Sequence, residues 1–527
     1  MKVKGYVIGL LLIVTGACQD ALEERYALPG QSSLPTIDKL FTRMLDDNRV
    51  RPSYWEMSTM VNWHIGVYSQ TVGFLNTDFI YQQNEQYIQE RWNDFYRPSA
   101  NGAGVLAQYR EMERLYNGMT AAEQANWAVY MHAASIVMLD QATRLVDLWG
   151  DIPFSDAGML VATGEVVYPK FDDGAAVYQT AISQLSDAAN ALGLLKPAAA
   201  SAKLFVQQDI LLHGDISQWQ RYANALRLRL LMRLSTANES AIVTEIQAML
   251  GDPERFPLPG DAGSYAPNED DVLLTPLTTY TDDLHAAFDD WTNYPAPYYL
   301  LERVLKPVDD PRIPVMFDKY GAYSGNAFAP NSGYNGMPVD KLAVDQEAVV
   351  NQHAILDSAT FLLNNPLPGV VMTVAEVDFL KAEAFARWGG GDAALAYAQG
   401  VVHSIQFYYY LNALSNRGPH PAAPTAQQLQ SFVSRNDVRL ADAATDRLKQ
   451  IWTQKWAHFG ALQSYQAWAE LRRTNYPQLS FLRSSAPGNE LPPSRLTYPL
   501  SEKTYNPHYA DVAGSDARSV KIFWDVD

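Results

Sequence analysis

From Asn126 to Trp149 the chain reads NWAVYMHAASIVMLDQATRLVDLW, a run of 24 residues without glycine or proline. A run that long, apolar and uninterrupted can be a helix and little else. Helical periodicity then recurs along the chain. Tyr178, Ile182, Leu185, Ala189 and Leu192 follow one another at spacings of 4, 3, 4 and 3, one face of an amphipathic helix. Ser217 to Ser235 (SQWQRYANALRLRLLMRLS) predicts a third strong helix, with Asp215 or Ser217 as its N-cap. Val371 to Trp388 predicts a fourth, stopped by Gly389-Gly390-Gly391, after which Asp392 caps an alanine-rich helix to about Tyr410. Helix, tight glycine turn, helix with small residues at the crossing is the logic of a tetratricopeptide-like pair. No clean period of about 34 residues is present, so such repeats are degenerate. A further helix is expected from about Ala441 to Arg473. The fold class expected is therefore mainly α. Two stretches differ: residues 251–345, rich in Pro, Gly, Asn, Asp and Tyr, and residues 475–518. Both read as long irregular loops, the places where function concentrates.

The length of 527 residues gives a prior of about three domains at ~150 residues each. No stretch reads as a flexible linker, however, so a single domain over 18–527 is expected. Hydrophobic residues at 47% and charged residues at 19% supply a core and exclude global disorder. The formal net charge of −18 repels phosphate backbones and excludes general nucleic-acid binding. The single cysteine, Cys18, excludes an intrachain disulfide and a cysteine metal site.

That cysteine sits in a telling place. Lys2 and Lys4 precede an apolar run of nine residues, Tyr6 to Val14. A spanning helix needs ~20, so the run reads as the core of a signal peptide over 1–17. Val14-Thr15-Gly16-Ala17-Cys18 resembles a bacterial lipobox, which implies that Cys18 becomes the first mature residue and is acylated. Two or more acyl chains make a durable membrane anchor where one does not. The acidic Gln19-Asp20-Ala21-Leu22-Glu23-Glu24 that follows resembles the surface-export signal of Bacteroidota lipoproteins.

Several ordered segments carry a wider resemblance. They are Leu145-Val146-Asp147-Leu148-Trp149-Gly150-Asp151-Ile152-Pro153-Phe154-Ser155-Asp156-Ala157; His213-Gly214-Asp215-Ile216 with Trp219 and Tyr222 to Arg229; Asp310-Pro311-Arg312-Ile313-Pro314; and Pro368 to Thr373 with Glu376 and Ala382-Glu383-Ala384. Gln454-Lys455-Trp456, Trp468, Leu471-Arg472-Arg473-Thr474, Pro492, Ser494 to Pro499 and Phe523-Trp524-Asp525 complete the set. Together they resemble the SusD/RagB family of surface nutrient-binding lipoproteins, in its SusD-like_2 branch. Phe523 departs from the family's tendency to a second tryptophan. The hallmark also has a purely structural reading: Gly150 as a helix C-cap, Pro153 fixing a turn, and Asp147, Asp151, Arg472 and Arg473 forming interhelical ion pairs.

The resemblance implies a right-handed tetratricopeptide-type scaffold that presents ligand-binding loops. It implies a lipid-anchored protein on the outer face of the outer membrane, partnered by a SusC-like TonB-dependent transporter, to which it delivers an oligosaccharide or, in RagB-like members, a peptide. No catalytic residue and no metal ligand are expected, and no cofactor, calcium at the acidic loops being the alternative that stays open.

Sugars offer a C–H-rich face and a hydroxyl rim, which suit exposed aromatic rings with amides beside them. A ring stacking over on the order of 50 Å² gains about 1 kcal/mol, whereas millimolar affinity needs about 4 kcal/mol. Two to four platforms in line are therefore required, which predicts an oligosaccharide binder with little grip on single sugars. The glycan-binding candidates are Tyr81 and Tyr87 in Asn76 to Tyr87, with amides at Gln82, Gln83 and Asn84. Trp291, Asn293 and Tyr294, then Tyr323 and Tyr334 in the glycine- and asparagine-rich loop, complete them. The tryptophans at 127, 149, 219, 388, 452, 456 and 468 lie in helical patterns and are expected in the core. An all-α glycoside hydrolase is the enzyme alternative, using acidic pairs such as Asp282-Asp283, Asp289-Asp290, Asp309-Asp310 and Glu269-Asp270-Asp271. No Gly-x-Ser-x-Gly, P-loop or His-Glu-x-x-His supports other chemistry.

Overall fold

In the computed structural model the described residues are 35–526, without 100–101, 262, 278–283, 289–294, 320 and 325–326. The signal segment and Cys18 lie outside them, as do Trp291, Asn293 and Tyr294.

The predicted helices form the frame. Helix α1 (Ala121–Trp149) opens with a capping box in which Thr120 and Glu123 bond each other's backbone. Helix α2 (Gly174–Leu194) buries Tyr178, Ile182, Leu185, Ala189 and Leu192, the face set by their spacing. Helix α3 (Ile216–Arg233) is capped by Asp215, which accepts from the amides of Ser217 and Gln218. Helices α4 (Val374–Trp388) and α5 (Ala393–Leu414) form the expected hairpin around the glycine turn, where Gly389 and Gly390 take φ of +71° and +88°. α2 packs on α1 and α3, and α4 packs on α5 and on α6 (Ala444–Phe459). One hydrophobic cluster runs from Ile37 to Trp524, and a smaller one joins α4, α5 and α6. Among the described residues, β structure is confined to two-stranded antiparallel pairs, such as Val272–Leu274 with Gly369–Met372.

The helix expected over 441–473 is two helices. Gly460 takes φ +46°, and the chain turns through Ala461–Gln463 into α7 (Ser464–Thr474). A Cβ at Gly460 would stand 2.6 Å from the Tyr408 hydroxyl, which is held in place by donating to the His458 carbonyl at 2.8 Å. Periodicity alone carries no signal of that turn.

The ion pairs of the frame also differ from the expected set. Arg473 bonds Glu383 and Glu470 at 2.8 and 2.6 Å, and Lys455 lies 2.5 Å from Glu470, all of them buried. Burial pushes the Glu383 carboxyl up, but Arg473 and Lys455 beside it outweigh burial and hold it at about 2. Arg472, by contrast, donates to the backbone carbonyls of Asp147 and Ser494. The Asp147 carboxylate accepts from the Tyr178 hydroxyl and the Trp524 indole, and Asp151 accepts from the Gly174 amide.

The hallmark around Gly150 is thus a junction. Leu496 N donates to the Leu148 carbonyl, Tyr498 to that of Asp151, and the Trp149 indole to that of Thr497. Gly150 caps α1 at φ +81°, with the Arg495 guanidinium 3.1 Å from where a Cβ would stand. The carboxyl-terminal chain therefore clasps the end of α1. Of the seven helix-borne tryptophans, 149, 219, 456 and 468 are fully buried; 127, 388 and 452 are half-buried at the margin.

Candidate ligand-binding face

The chain from 54 to 69 is helical, and Met57–Ile65 within it is wound as a π-helix. Bonding from i to i+5 repeats a face every four to five residues rather than every three to four. Met57, Met60, Val61 and Ile65 still reach the core. Tyr54, Ser58 and Trp63, spaced by 4 and 5, line the outward side. Trp63 is 60% exposed and Tyr54 36%. A normal helix would put Trp63 near the line of Met60 and Val67, which are buried, so the winding itself turns the indole to solvent.

Buried polar groups fix this helix. His64 Nε2 accepts from the Asn84 amide at 2.9 Å, so Nδ1 carries the proton and donates to the Thr59 carbonyl at 2.7 Å. Burial depresses the His64 pKa to about 4, which keeps the ring neutral and Nε2 an acceptor near neutral pH. Asn84 also caps the helix Glu85–Tyr96, accepting from the amides of Gln86 and Tyr87. Tyr87 is half-buried in the angle between the two helices, edge-on to Trp55 at 5.9 Å and to His64 at 6.3 Å. The Trp55 indole reaches across to Glu90 at 2.9 Å.

The residues flanking the segment 289–294 are both held, one of them by this helix. Asn62 Nδ2 donates to the Ala287 carbonyl at 3.0 Å. On the far side, the Pro295 carbonyl presses so closely on Gly73 that a Cβ there would stand 1.9 Å from its oxygen. The stretch carrying Trp291, Asn293 and Tyr294 runs in the sequence between these two anchors, and those three residues lie outside the described residues.

The other candidates divide. Tyr81 is fully buried: its hydroxyl donates to the Leu482 carbonyl at 3.0 Å and its ring meets Phe481 at 6.0 Å. It ties the loop to the segment 475–499 and offers no platform, which corrects the sequence expectation. The side chain exposed in that loop is Phe79, at 66%. Of the three amides, Gln83 is engaged with the Thr497 backbone and Asn84 with its helix cap, while Gln82 is exposed. Tyr323 lies on the strand Gly321–Ser324. Tyr334 is half-buried with Lys319 Nζ 5.1 Å above its ring, and its carbonyl accepts from Lys306.

The acidic pairs that are described serve the fold. Asp310 holds Arg312 at 2.7 Å, and Asp271 accepts from the Val374 amide and the Tyr265 hydroxyl. Among the described residues no group of three or more His, Cys, Asp or Glu side chains is placed to hold a metal ion, and no helix is long and apolar enough to cross a membrane.

A family model described as "Starch-binding associating with outer membrane" matches residues 33–499. The chain belongs to the SusD-like_2 family. Solved structures agree on the fold. A chitin-binding protein superposes with a TM-score of 0.71 at 23% identity, covering 93% of this chain and 99% of that one. A SusD homologue from Bacteroides fragilis gives 0.71 at 19% identity, covering 93% and 100%. A chitin-binding SusD homologue from Flavobacterium johnsoniae gives 0.70 at 19%, covering 93% and 99%. No curated protein sequence matches the chain. The mainly α, SusD-like helical architecture expected from the sequence is the one observed.

Proposed function

We propose that this protein is a non-catalytic, surface-exposed receptor that captures oligosaccharides and passes them to a SusC-like TonB-dependent transporter. The observation that carries the reading is Trp63, turned out of a π-wound helix whose Asn62 holds the Ala287 carbonyl and whose His64 is locked by the Asn84 amide and the Thr59 carbonyl. Tyr54, Phe79 and the loop aromatics Trp291 and Tyr294 supply the further platforms that a chain of sugars needs, with Gln82 and Asn293 for hydroxyl rims. The family's description as starch-binding, and the chitin-binding proteins of the same fold, make glucan and chitin oligosaccharides the first ligands to test.

The anchoring belongs to the same proposal: Cys18 is acylated, and the mature chain, a single domain, starts there. Calorimetry with starch- and chitin-derived oligosaccharides, with basic and neutral peptides alongside, tests the capture role. Affinity that rises with glycan length supports it. Binding of peptides alone, or turnover of a glycan by the purified protein, refutes it. Loss of membrane association on Cys18→Ala tests the anchor.

A further inference from the structure

A second concavity lies away from Trp63. The chain that rejoins the fold at Pro295 continues into the helical turn Tyr299–Leu305, which packs on α6. Between this turn, α5, α6 and the helix Ala426–Val433 lies a cavity of about 410 Å³, within the size range of small-molecule sites. Tyr299, Val401 and Phe432 form apolar wall, and Gln454 brings an amide to it, while the Gln450 amide is spent on Tyr397 and the backbone of 438–441. Tyr299 is fixed edge-on against Trp456 at 6.0 Å. Gln454 Oε1 accepts from Arg312 at 2.7 Å, which leaves its NH₂ free to donate.

The charges around the cavity are unevenly satisfied. Its carboxylates are each answered: Asp310 by Arg312 at 2.7 Å, Asp437 by Arg435 at 2.5 and 3.0 Å, and Asp446 by Lys449 at 3.7 Å. Its two cations are answered less fully. Among the described residues Arg303 makes no ion pair; its guanidinium lies over the Tyr298 ring at 5.7 Å. Lys449 stands 3.7 Å from an exposed Asp446 and 5.6 Å above the Tyr476 ring, which packs on Trp452. An arginine fork and an ammonium with donors to spare, beside apolar wall and free amide, match one ligand chemistry: a ring with a C–H face, hydroxyls and an anionic substituent. In a chain of net charge −18 this is an uncommon place for an anion to settle.

We propose that this cavity is a second site, separate from the Trp63 face, that takes a single sugar ring carrying a carboxylate. Because it is lined by residues other than those of the Trp63 face, its test is independent of the oligosaccharide reading. Galacturonate and galactose differ only in carboxylate against hydroxymethyl, and ligand-observed NMR or calorimetry compares them. Expected is at least tenfold tighter binding of galacturonate. That preference disappears in the double variant R303A/K449Q, whose two side chains are exposed and whose unchanged melting temperature verifies the fold. It persists in Trp63→Ala, which tests the other face. Equal binding of the two sugars, no binding of galacturonate, retention of the preference in the double variant, or displacement by an equal concentration of acetate would each overturn the assignment. Oligosaccharide binding that fails while galacturonate still binds removes the Trp63 reading and leaves this one standing.

Discussion

Replacing Trp63 by alanine removes the platform while leaving the frame. The indole is 60% exposed, so its loss opens no cavity, and stability should change by no more than about 0.5 kcal/mol. Binding should change by more. A stacked sugar covers on the order of 50 Å² of the ring, and about as much of its own C–H face goes out of water with it. At ~25 cal/mol per Å² the pair is worth about 1–2.5 kcal/mol, or roughly 5- to 70-fold in Kd. Isothermal titration with the best-bound oligosaccharide, run beside thermal denaturation, measures both quantities. Trp63→Phe should recover part of the affinity, since a smaller flat ring remains. An alanine variant that melts with the parent and binds equally well would refute the assignment of this ring to the ligand. A variant that loses affinity only in step with stability would refute the claim that the indole is outside the core.

Tyr81→Phe removes one hydroxyl bond to the Leu482 carbonyl; denaturant titration should show a loss of about 1 kcal/mol, with oligosaccharide affinity unchanged. Arg473→Met leaves the buried Glu383 and Glu470 to share Lys455 and should cost about 3 kcal/mol by the same measurement. Gly73→Ala drives a methyl into the Pro295 carbonyl, so both melting temperature and oligosaccharide affinity should fall, because the anchor of the 289–294 loop moves. His64 is held neutral with a pKa of about 4 against 6.5 when unfolded. The unfolded chain binds the extra proton first, so this group's contribution is intact above pH 6.5, falls as pH drops from there to about 4, and is flat below. The total is about 3 kcal/mol, and His64→Gln should flatten that part of the stability–pH curve.

Helices were legible because their signals are local. The spacing of Tyr178, Ile182 and Leu185, the Asp215 and Asp392 caps and the triple glycine each act within a few residues, and each element stands where they put it. Gly460 was not legible, because what makes it a turn is the Tyr408 hydroxyl, about fifty positions away. Tyr81 and Trp63 exchange roles for a related reason. In the sequence Tyr81 sits among polar residues and Trp63 among apolar ones, MVNWHIGV. Burial is decided instead by Leu482 and Phe481 closing over one ring, and by π winding that swings the other out. A clue to the winding was present in the five-residue step from Ser58 to Trp63, which fits no ordinary helical face.

The distribution of buried charge shows why this fold can hold an exposed aromatic surface steady. The ion pairs Arg229–Glu376, Arg473–Glu383 and Lys455–Glu470 join α3, α4, α6 and α7 inside the frame. Replacing such pairs by well-packed apolar side chains often leaves a protein as stable or more so, so net stability is weak grounds for their presence. What they do specify is which helix meets which and at what register, since each misaligned charge would be left alone in the core. Through Trp456, whose indole donates to the Ser69 carbonyl at 2.9 Å, that register reaches the end of the helix bearing Trp63. Trp456→Phe keeps an aromatic ring in place and deletes that donor. It should therefore weaken oligosaccharide binding with a smaller loss of stability than Arg473→Met. Equal affinity in the variant would show that the face is held by His64 and Asn62 alone.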